Sequence, residues 1–330
     1  MKKKTLCVVL LWLLALCACL TLADRAMRRD DGQRKYDAFF DDPNGFDVLF
    51  YGTSHVFDGV SPMELWRDTG ITSYNMANSS EPLDVTEQVL RLSTGIHLPK
   101  VALIDIYYIM HSVDEAWTYS FRHLFLDEVP LSLRKFQAVR ATLPRSEWIE
   151  FLMPFSLYHG RWDELLSGSV ERLVDCERFM MGGELRFGLA PEGEYTRTRE
   201  IDDSPQPGHD AIARIVAYCR EKGIQPVLMA IPARVSQEEQ RMINGVAPLA
   251  QALDVPYLNL FDQEDLVDFA TDCYDGIGHL NPNGTRKVTA YLGAWLRAHC
   301  ELPDHRGDDA YAYWDKNLAL YEAFRAQNWE

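Results

Sequence analysis

The stretch that most constrains the fold is residues 46–55, with the sequence FDVLFYGTSH. Its residues 48–51 form a short apolar run, which is typical of a parallel strand that is buried on both faces. Gly52 permits a sharp turn after that strand, so Ser54 and His55 are expected at its carboxyl end. Ligands and reactive side chains gather at that end of an open α/β sheet. Ser54 is therefore a candidate nucleophile, provided that the chain supplies a histidine and an acid to activate it.

A second stretch, far along the chain, offers both of these groups. Residues 272–287, DCYDGIGHLNPNGTRK, carry Asp275 and His279 in one glycine-rich loop. Asn281 followed by Pro282 has the pattern of a helix N-cap and a first helical residue. The loop is therefore expected to end where a helix begins.

Together the two stretches resemble the SGNH/GDSL hydrolase superfamily, in which a strand ends in Gly-x-Ser and a late loop carries an acid and a histidine. The GTSH and HLNPNG forms are most similar to its membrane-anchored acyl-transfer branch, which includes proteins of alginate O-acetylation and teichoic-acid D-alanylation. The resemblance covers roughly residues 46–299 in layout and rests on these two short motifs. It implies a flavodoxin-like α/β fold and a triad of Ser54, His279 and Asp275, with no cofactor and no metal.

The sequence departs from the family pattern in two places. Three residues separate the acid from the histidine, one more than is usual, so Asp272 stays open as an alternative acid. The family's glycine and asparagine blocks, which complete its oxyanion hole, are not recognisable. Asn75 and Asn78, which follow the second predicted strand, are candidates for that role. His55 is expected to face away from Ser54 and to support the site rather than react.

The N-terminus carries an apolar segment of membrane length. Residues 5–23 are uncharged and leucine-rich, and a helix of that length spans about 28 Å, close to a hydrocarbon core of about 30 Å. The segment is longer than a usual secretory core, so we expect a signal anchor. A cleaved signal peptide that ends near residue 23, which would release a secreted protein, and lipidation at Cys19 are the alternatives. Basic residues flank both sides and do not orient it; the resemblance places the domain outside the cytoplasm, on the cell membrane.

Beyond this segment the chain is strongly acidic. The whole chain has a formal net charge of −16, and residues 30–330 hold 27 Lys and Arg against 48 Asp and Glu, a net charge of −21. Such a surface argues against nucleic acid and against a long polyanion gripped over a wide area. The seven cysteines show no metal-ligand spacing, and those outside the apolar segment permit disulfides without indicating a pairing.

The remaining pattern predicts a doubly wound parallel α/β sheet of about five strands, with helices between them. Within the third strand, Asp105 is expected to be a buried carboxylate with structural partners. A later helix is expected to kink at Pro248. The predicted strands are residues 48–51, 72–77, 101–109, 227–231 and 255–260.

Residues 110–207 interrupt this alternation. The segment is roughly a hundred residues long, whereas a loop between a strand and a helix typically has 2–6 residues. We expect a helical insertion that caps the catalytic edge, and a flexible return over residues 182–208. Its helices are predicted around residues 132–141, 146–158 and 170–181. Its aromatic residues are candidates for stacking on sugar rings, although aromatics at helical spacing more often pack in a core: Trp117, Tyr119, Trp148, Tyr158 and Trp162.

The sequence thus predicts an anchor over residues 1–29 and an SGNH-like domain over residues 30–330, with a polar tail from residue 303. The expected function is that of an extracytoplasmic serine esterase or O-acyltransferase, acting on acyl (acetyl) esters of a cell-envelope glycan. The large insertion favours transfer over hydrolysis. The alternative is a non-catalytic, anchored glycan-binding or scaffold partner of a membrane-bound O-acyltransferase.

Overall fold

A computed structural model gives the fold. It describes residues 3–27, 33–110, 119, 122–123, 126–127, 129, 131–153, 177–193 and 195–329. The chain forms two compact units: residues 1–33 with 123–175, and residues 34–122 with 176–330.

The described helices and strands follow one another in alternation over most of the larger unit. In chain order they are α1 (Lys3–Met27), α2 (Gln33–Asp41), β1 (Val48–Tyr51), α3 (Ser54–Phe57), α4 (Pro62–Thr69), β2 (Ser73–Asn75), α5 (Leu83–Thr94), β3 (Val101–Asp105), α6 (Leu133–Thr142), α7 (Trp148–Leu152), α8 (His209–Lys222), β4 (Gln225–Ala230), α9 (Gln237–Asn244), α10 (Val246–Ala252), β5 (Tyr257–Asn259), α11 (Pro282–His299) and α12 (Ala312–Trp329).

The five strands form one parallel sheet in the order β2-β1-β3-β4-β5. This is the flavodoxin-like order, and it confirms the predicted doubly wound α/β fold. In β1 every residue is fully buried, as its uncharged sequence predicts for a strand covered on both faces. Because all strands run the same way, their carboxyl ends meet at one edge of the sheet.

Helices α4, α9 and α11 begin at the capping residues that the sequence predicted, and α4 also ends where predicted. Ser61 caps α4 by accepting the N–H of Glu64, and Gly70 closes that helix in the left-handed conformation with φ of 68°. Asn281 caps α11 and accepts two N–H groups at its start. A capping box begins α9, as predicted.

Several predicted boundaries differ from the structure: β2 and β5 are shorter than predicted, and two further differences have a clear cause. β3 ends at Asp105 instead of continuing to residue 109, because this carboxylate accepts the N–H of Tyr107 at 3.2 Å and turns the chain into a short 3₁₀ helix. The expected kink at Pro248 is wrong. The chain breaks at Gly245, which separates α9 from α10.

The predicted insertion, residues 110–207, is divided between the two units. Residues 123–175 belong to the smaller unit, whereas residues 177–207 belong to the larger one. The latter segment is held by backbone hydrogen bonds, such as those from Glu184 to Phe57 (3.2 Å) and from Ala190 to Cys273 (3.0 Å), so it packs along the sheet domain rather than forming a free return loop.

Within the smaller unit, the helix predicted around residues 132–141 is present as α6, and Ser132 caps it by accepting the N–H of Lys135. The indole of Trp148 donates to the carbonyl of Leu143 at 3.0 Å and contacts Phe136 edge-on, which is a packing role rather than that of an open platform. Trp117, Tyr158 and Trp162 lie outside the described residues, as do most of residues 154–181. The cap over the catalytic edge stays a prediction.

Two further segments at the chain ends are helical. α1 is long and apolar enough to cross a membrane, although a signal sequence would pass the same test. The predicted polar tail contains α12, which packs on α4. There Trp314 is fully buried and stacks on Trp66 at 5.2 Å between ring centroids, and Tyr321 donates to Glu64 at 3.2 Å.

Candidate active site

The turn after β1 places Ser54 at the start of α3. Gly52 adopts φ of +141°, and a Cβ there would lie 2.3 Å from the Cβ of Asp105, so only glycine fits this approach of two strand ends. Thr53 is tied to the same aspartate, since its hydroxyl donates to Asp105 at 2.8 Å. Burial raises the pKa of Asp105 to about 6. Asp105 is thus the structural carboxylate that the sequence predicted, and it fixes the residue before Ser54.

Ser54, His279 and Asp275 form one continuous chain of hydrogen bonds. Ser54 Oγ lies 2.7 Å from His279 Nε2, and His279 Nδ1 lies 2.6 Å from Asp275 Oδ2. The other oxygen of Asp275 accepts backbone N–H groups from Ile277, Gly278 and His279 at 3.0–3.1 Å. This arrangement presents the lone pair of Nε2 to the serine hydroxyl.

The electrostatics of Asp275 fit that arrangement. Partial burial opposes its ionisation, but the hydrogen bond and charge interaction with His279 and the backbone donors outweigh it. They hold the pKa of Asp275 below its usual value. The carboxylate is therefore ionised at neutral pH, which favours a proton on His279 Nδ1.

The alternative acid, Asp272, faces a different set of partners. It is almost fully buried, and its oxygens accept from Lys287 Nζ at 2.6 Å, from the N–H of Asp268 at 2.8 Å and from the hydroxyl of Thr271 at 3.1 Å. These bonds tie the loop to α11. The structure thus places Asp272 in a supporting position and leaves Asp275 as the partner of the histidine.

Asn75, one of the two predicted oxyanion donors, is fully committed elsewhere. Its amide donates to the carbonyls of Val56 at 2.8 Å and Val60 at 2.9 Å, and its oxygen accepts the N–H of Ala77 at 3.1 Å. In this conformation it has no hydrogen left for an oxyanion, which corrects that expectation. It anchors the end of α3 instead.

Asn78, the other predicted donor, is placed beside the nucleophile turn by its backbone. Its N–H donates to the carbonyl of Gly52 at 3.0 Å, while its side-chain amide donates to Tyr36 and to Glu81, both at 2.9 Å. Both amide hydrogens are therefore in use here as well. The expectation that Asn78 faces the oxyanion is not met in this conformation, because Tyr36 and Glu81 take both hydrogens of its amide.

The backbone of α3 offers an alternative donor. The N–H groups of Val56 and Phe57 both bond to the carbonyl of Thr53. The first N–H groups of a helix have no acceptor within that helix. The N–H of Ser54 stands at the first position of α3 and has no acceptor within that helix.

Arg234, which the sequence analysis missed, holds the loop that carries Asp275 and His279. Its guanidinium donates to the carbonyls of Asp275 (2.9 Å), Ala190 (2.7 Å) and Phe269 (2.8 Å). Its backbone N–H donates to Ile277 at 2.9 Å. One signal could have found it: a lone basic residue that follows the fourth strand, at the carboxyl edge of the predicted sheet.

His55 is buried and stacks on the ring of His279, while the supporting role expected for it stays a prediction. Its ring centroid lies 4.4 Å from that of His279, with 19° between the ring planes. Across the residues that the structure describes, no three His, Cys, Asp or Glu side chains are grouped so that they could hold a metal ion. The six cysteines among them are free thiols.

No protein-family model and no curated protein matches the sequence. Among solved structures, a lipase/acylhydrolase from Enterococcus faecalis is similar, with 9% identity, 78% of this chain and 97% of that chain covered, and a TM-score of 0.41. A GDSL-like lipase from Bacteroides thetaiotaomicron has 9% identity, covers 76% and 87% of the two chains, and gives a TM-score of 0.38. Likeness at this level does not bear on chemistry, which depends on the geometry above.

Proposed function

We propose that the protein is an SGNH-type serine enzyme that cleaves or transfers acyl esters. The observation that carries this proposal is the unbroken Ser54–His279–Asp275 chain, with distances of 2.7 and 2.6 Å. It lies at the carboxyl edge of a parallel sheet, where the sites of such folds are built. A serine with only a structural role in a turn does not require a hydrogen bond to a histidine that a carboxylate orients. The arrangement therefore supports a nucleophilic role for Ser54.

In the first half of the reaction, Ser54 Oγ attacks the ester carbonyl while His279 Nε2 takes its proton. Asp275 keeps the imidazole oriented and stabilises the imidazolium that forms. The oxyanion of the tetrahedral intermediate faces the backbone N–H of Ser54, and one such donor contributes about 3 kcal/mol to transition-state stabilisation. His279 then returns the proton to the leaving alcohol, and an acyl ester remains on Ser54.

In the second half, His279 takes a proton from the incoming hydroxyl as its oxygen attacks the acyl ester. His279 then gives that proton to Ser54 Oγ as the bond between the acyl carbon and Oγ breaks. If water attacks, the products are a carboxylic acid and free enzyme, and the protein is an esterase. If a sugar hydroxyl attacks, a new ester forms and the protein is an O-acyltransferase. Both outcomes use the same three side chains.

As the substrate we propose short acyl esters, above all acetyl esters, of a cell-envelope glycan, with the domain outside the cytoplasm and tethered by α1. The resemblance of the GTSH and HLNPNG motifs to the acyl-transfer branch supports this choice, as does the length of the apolar helix. A membrane-bound O-acyltransferase would then be a natural partner, since it delivers acyl groups at the same surface. The acidic surface disfavours polyanionic glycans.

The test of the catalytic role is labelling by a fluorophosphonate, which reacts with activated serines. Wild type should be labelled and Ser54→Ala should not, because the alcohol that is acylated is gone. Ser204→Ala, which removes an exposed serine outside the site, is the matched control and should label normally. Equal labelling of wild type and Ser54→Ala, or none of wild type, would contradict the proposal.

A second experiment separates transfer from hydrolysis. The protein is given an activated acetyl ester with and without glycan oligomers, and both free acetate and acylated glycan are followed. Acylated glycan that depends on Ser54 supports transfer. Free acetate alone across a panel of acceptors leaves an esterase, and glycan binding by an unreactive protein would favour the scaffold alternative.

A further inference from the structure

The ring of His279 is flanked by two aromatic side chains that the proposed mechanism does not use. His55 lies 4.4 Å away at 19°, and Tyr274 lies 5.7 Å away at 16°, both measured between ring centroids and ring planes. Both rings are nearly parallel to the imidazole. A histidine that must face a serine with one nitrogen and a carboxylate with the other tolerates little rotation, and parallel neighbours restrict it.

Each flanking ring is itself held in place. His55 is only 2% exposed, and Tyr107 packs against it at 4.2 Å. Tyr274 donates its hydroxyl to Asp58 at 2.8 Å, and its N–H donates to the carbonyl of His279 at 3.0 Å. The two flanking rings are therefore held by contacts of their own, beside a His279 side chain that is only 13% exposed.

The His55 ring is neutral. Its Nδ1 is buried and has no hydrogen-bond partner among the residues that the structure describes, and an imidazolium would have to place a charged N–H there. Burial, and then the neighbouring His279, lower the pKa of His55 well below its usual value, with Asp275 opposing them more weakly. The other groups close to the two histidines are Ser54, Asp58, Tyr107 and Tyr274.

A neutral aromatic face next to a ring that becomes positively charged has an energetic consequence. Cations are attracted to aromatic faces, and the attraction grows when the pair is shielded from water. During attack by Ser54, His279 gains a proton and becomes such a cation. A neutral His55 would favour this state, whereas a charged His55 would oppose it.

We propose that His55 is a positioning residue, whose neutral ring stacks on His279, holds the base between Ser54 and Asp275, and stabilises its protonated form. This deepens the proposed function and rests on it. His55 itself exchanges no proton and forms no bond with the substrate.

The test compares His55→Leu, which removes the aromatic face, with His55→Phe, which keeps it and removes the nitrogens. His97→Leu is the control, since His97 contacts Phe39 and Phe46 near the amino end of β1. The rate constant for acylation of Ser54 is measured from pH 5 to 9 in the full-length, detergent-solubilised protein. Thermal melts verify that each variant is folded.

For His55→Leu we expect the rate at the pH plateau to fall roughly 10- to 100-fold, because the base is held less firmly. The acid midpoint should move to lower pH by roughly 0.5 to 1 unit, because the imidazolium loses its partner. His55→Phe should keep both the midpoint and most of the rate. A loss of packing alone would lower stability without moving the midpoint.

A readout that does not need activity separates the two proposals. In the Ser54→Ala background, the titration of His279 is followed by NMR of ¹³C-labelled histidine, with His279→Gln to assign its signal. A lower His279 pKa in His55→Leu but not in His55→Phe supports the positioning role even if wild type proves unreactive. An unchanged His279 pKa and rate in His55→Leu, or an equal loss in His55→Phe, overturns it.

Discussion

At the scale of single residues, two acids three positions apart in the loop before α11 have different roles. Asp275 meets His279 at 2.6 Å and remains partly accessible, while Asp272 is buried and meets Lys287 at 2.6 Å. Both residues are aspartates, and they differ in the direction in which the side chain points. A carboxylate can orient a histidine only if it reaches Nδ1.

Replacing these acids one at a time tests that distinction. Asp275→Asn should lower turnover of an activated ester by about 10⁴, because the wrong tautomer of the base is then favoured. Asp272→Asn should cost about 1–3 kcal/mol of stability, because the buried side chain loses its charged bonds to the N–H of Asp268 and to Lys287. It should have far less effect on turnover of folded protein. The measurements are kcat and the urea midpoint of each variant. A larger loss of turnover in Asp272→Asn would reverse the assignment of the acid.

Burial of Glu81 should make the free energy of unfolding depend on pH. It is buried beside Asn78, it accepts from Thr86 at 2.8 Å, and burial raises its pKa from 4.5 to about 7. Below pH 4.5 both folded and unfolded states are protonated and the fold carries no penalty. As pH rises towards 7 only the unfolded state ionises, so this group's contribution to stability falls, by up to about 3 kcal/mol.

Glu81→Gln should therefore flatten the loss of stability between pH 5 and 8, because the amide does not ionise. The urea midpoints of wild type, Glu81→Gln and Glu238→Gln, an exposed control, are compared at both pH values. The control should keep the wild-type slope. A slope in Glu81→Gln as steep as that of wild type would show that Glu81 does not carry the effect.

At the scale of elements, Arg234 connects segments that are far apart in the chain. Its guanidinium bonds three carbonyls, of Asp275, Ala190 and Phe269, and so fixes the loop against residues 177–193. Gly278, in the same loop, has φ of +94° and would place a Cβ 2.7 Å from the backbone nitrogen of Arg234. This close approach of two backbone segments requires a glycine at position 278.

Arg234→Lys should therefore reduce acylation of Ser54 by roughly 10- to 100-fold, since a lysine cannot bond three carbonyls in one plane and the base is displaced. Arg220→Lys is the matched control: that arginine also donates to two carbonyls, of Leu253 and Asp254, but lies exposed and apart from the triad. It should retain activity. Full activity in Arg234→Lys would mean that the loop holds its shape without the guanidinium.

At the scale of the whole molecule, α1 is the segment that we propose as a membrane anchor. If the helix spans the membrane uncleaved, the protein should resist extraction by carbonate and keep its N-terminus near Met1. Leu14→Arg, near the middle of the apolar segment, should weaken insertion by about 3 kcal/mol, while Leu14→Phe should not. The measurement is the membrane fraction with N-terminal sequencing. A soluble mature protein that begins at Asp24 would refute the anchor.

The sequence by itself determined the features that depend on neighbours along the chain. The buried strand before Gly52 and the N-caps at Ser61 and Asn281 are formed as predicted, because periodicity, turns and caps act over a few residues. All five predicted strands are present, although three of them are shorter than predicted. The same local patterns placed Ser54 and His279 at the carboxyl edge of the sheet, which is why the pair could be found without a structure.

Only the tertiary structure decided which side chains meet. The sequence did not show that the side-chain amides of Asn75 and Asn78 already have hydrogen-bond partners. Asn75 donates to carbonyls at the end of α3, and Asn78 donates to Tyr36 and Glu81. Which of Asp275 and Asp272 contacts His279 depends on the direction of each side chain within one loop. The contact between His55 and His279 joins rings that are more than two hundred positions apart in the chain. Hydrogen bonds act only over about 3 Å, and no pattern along the chain specifies position that finely.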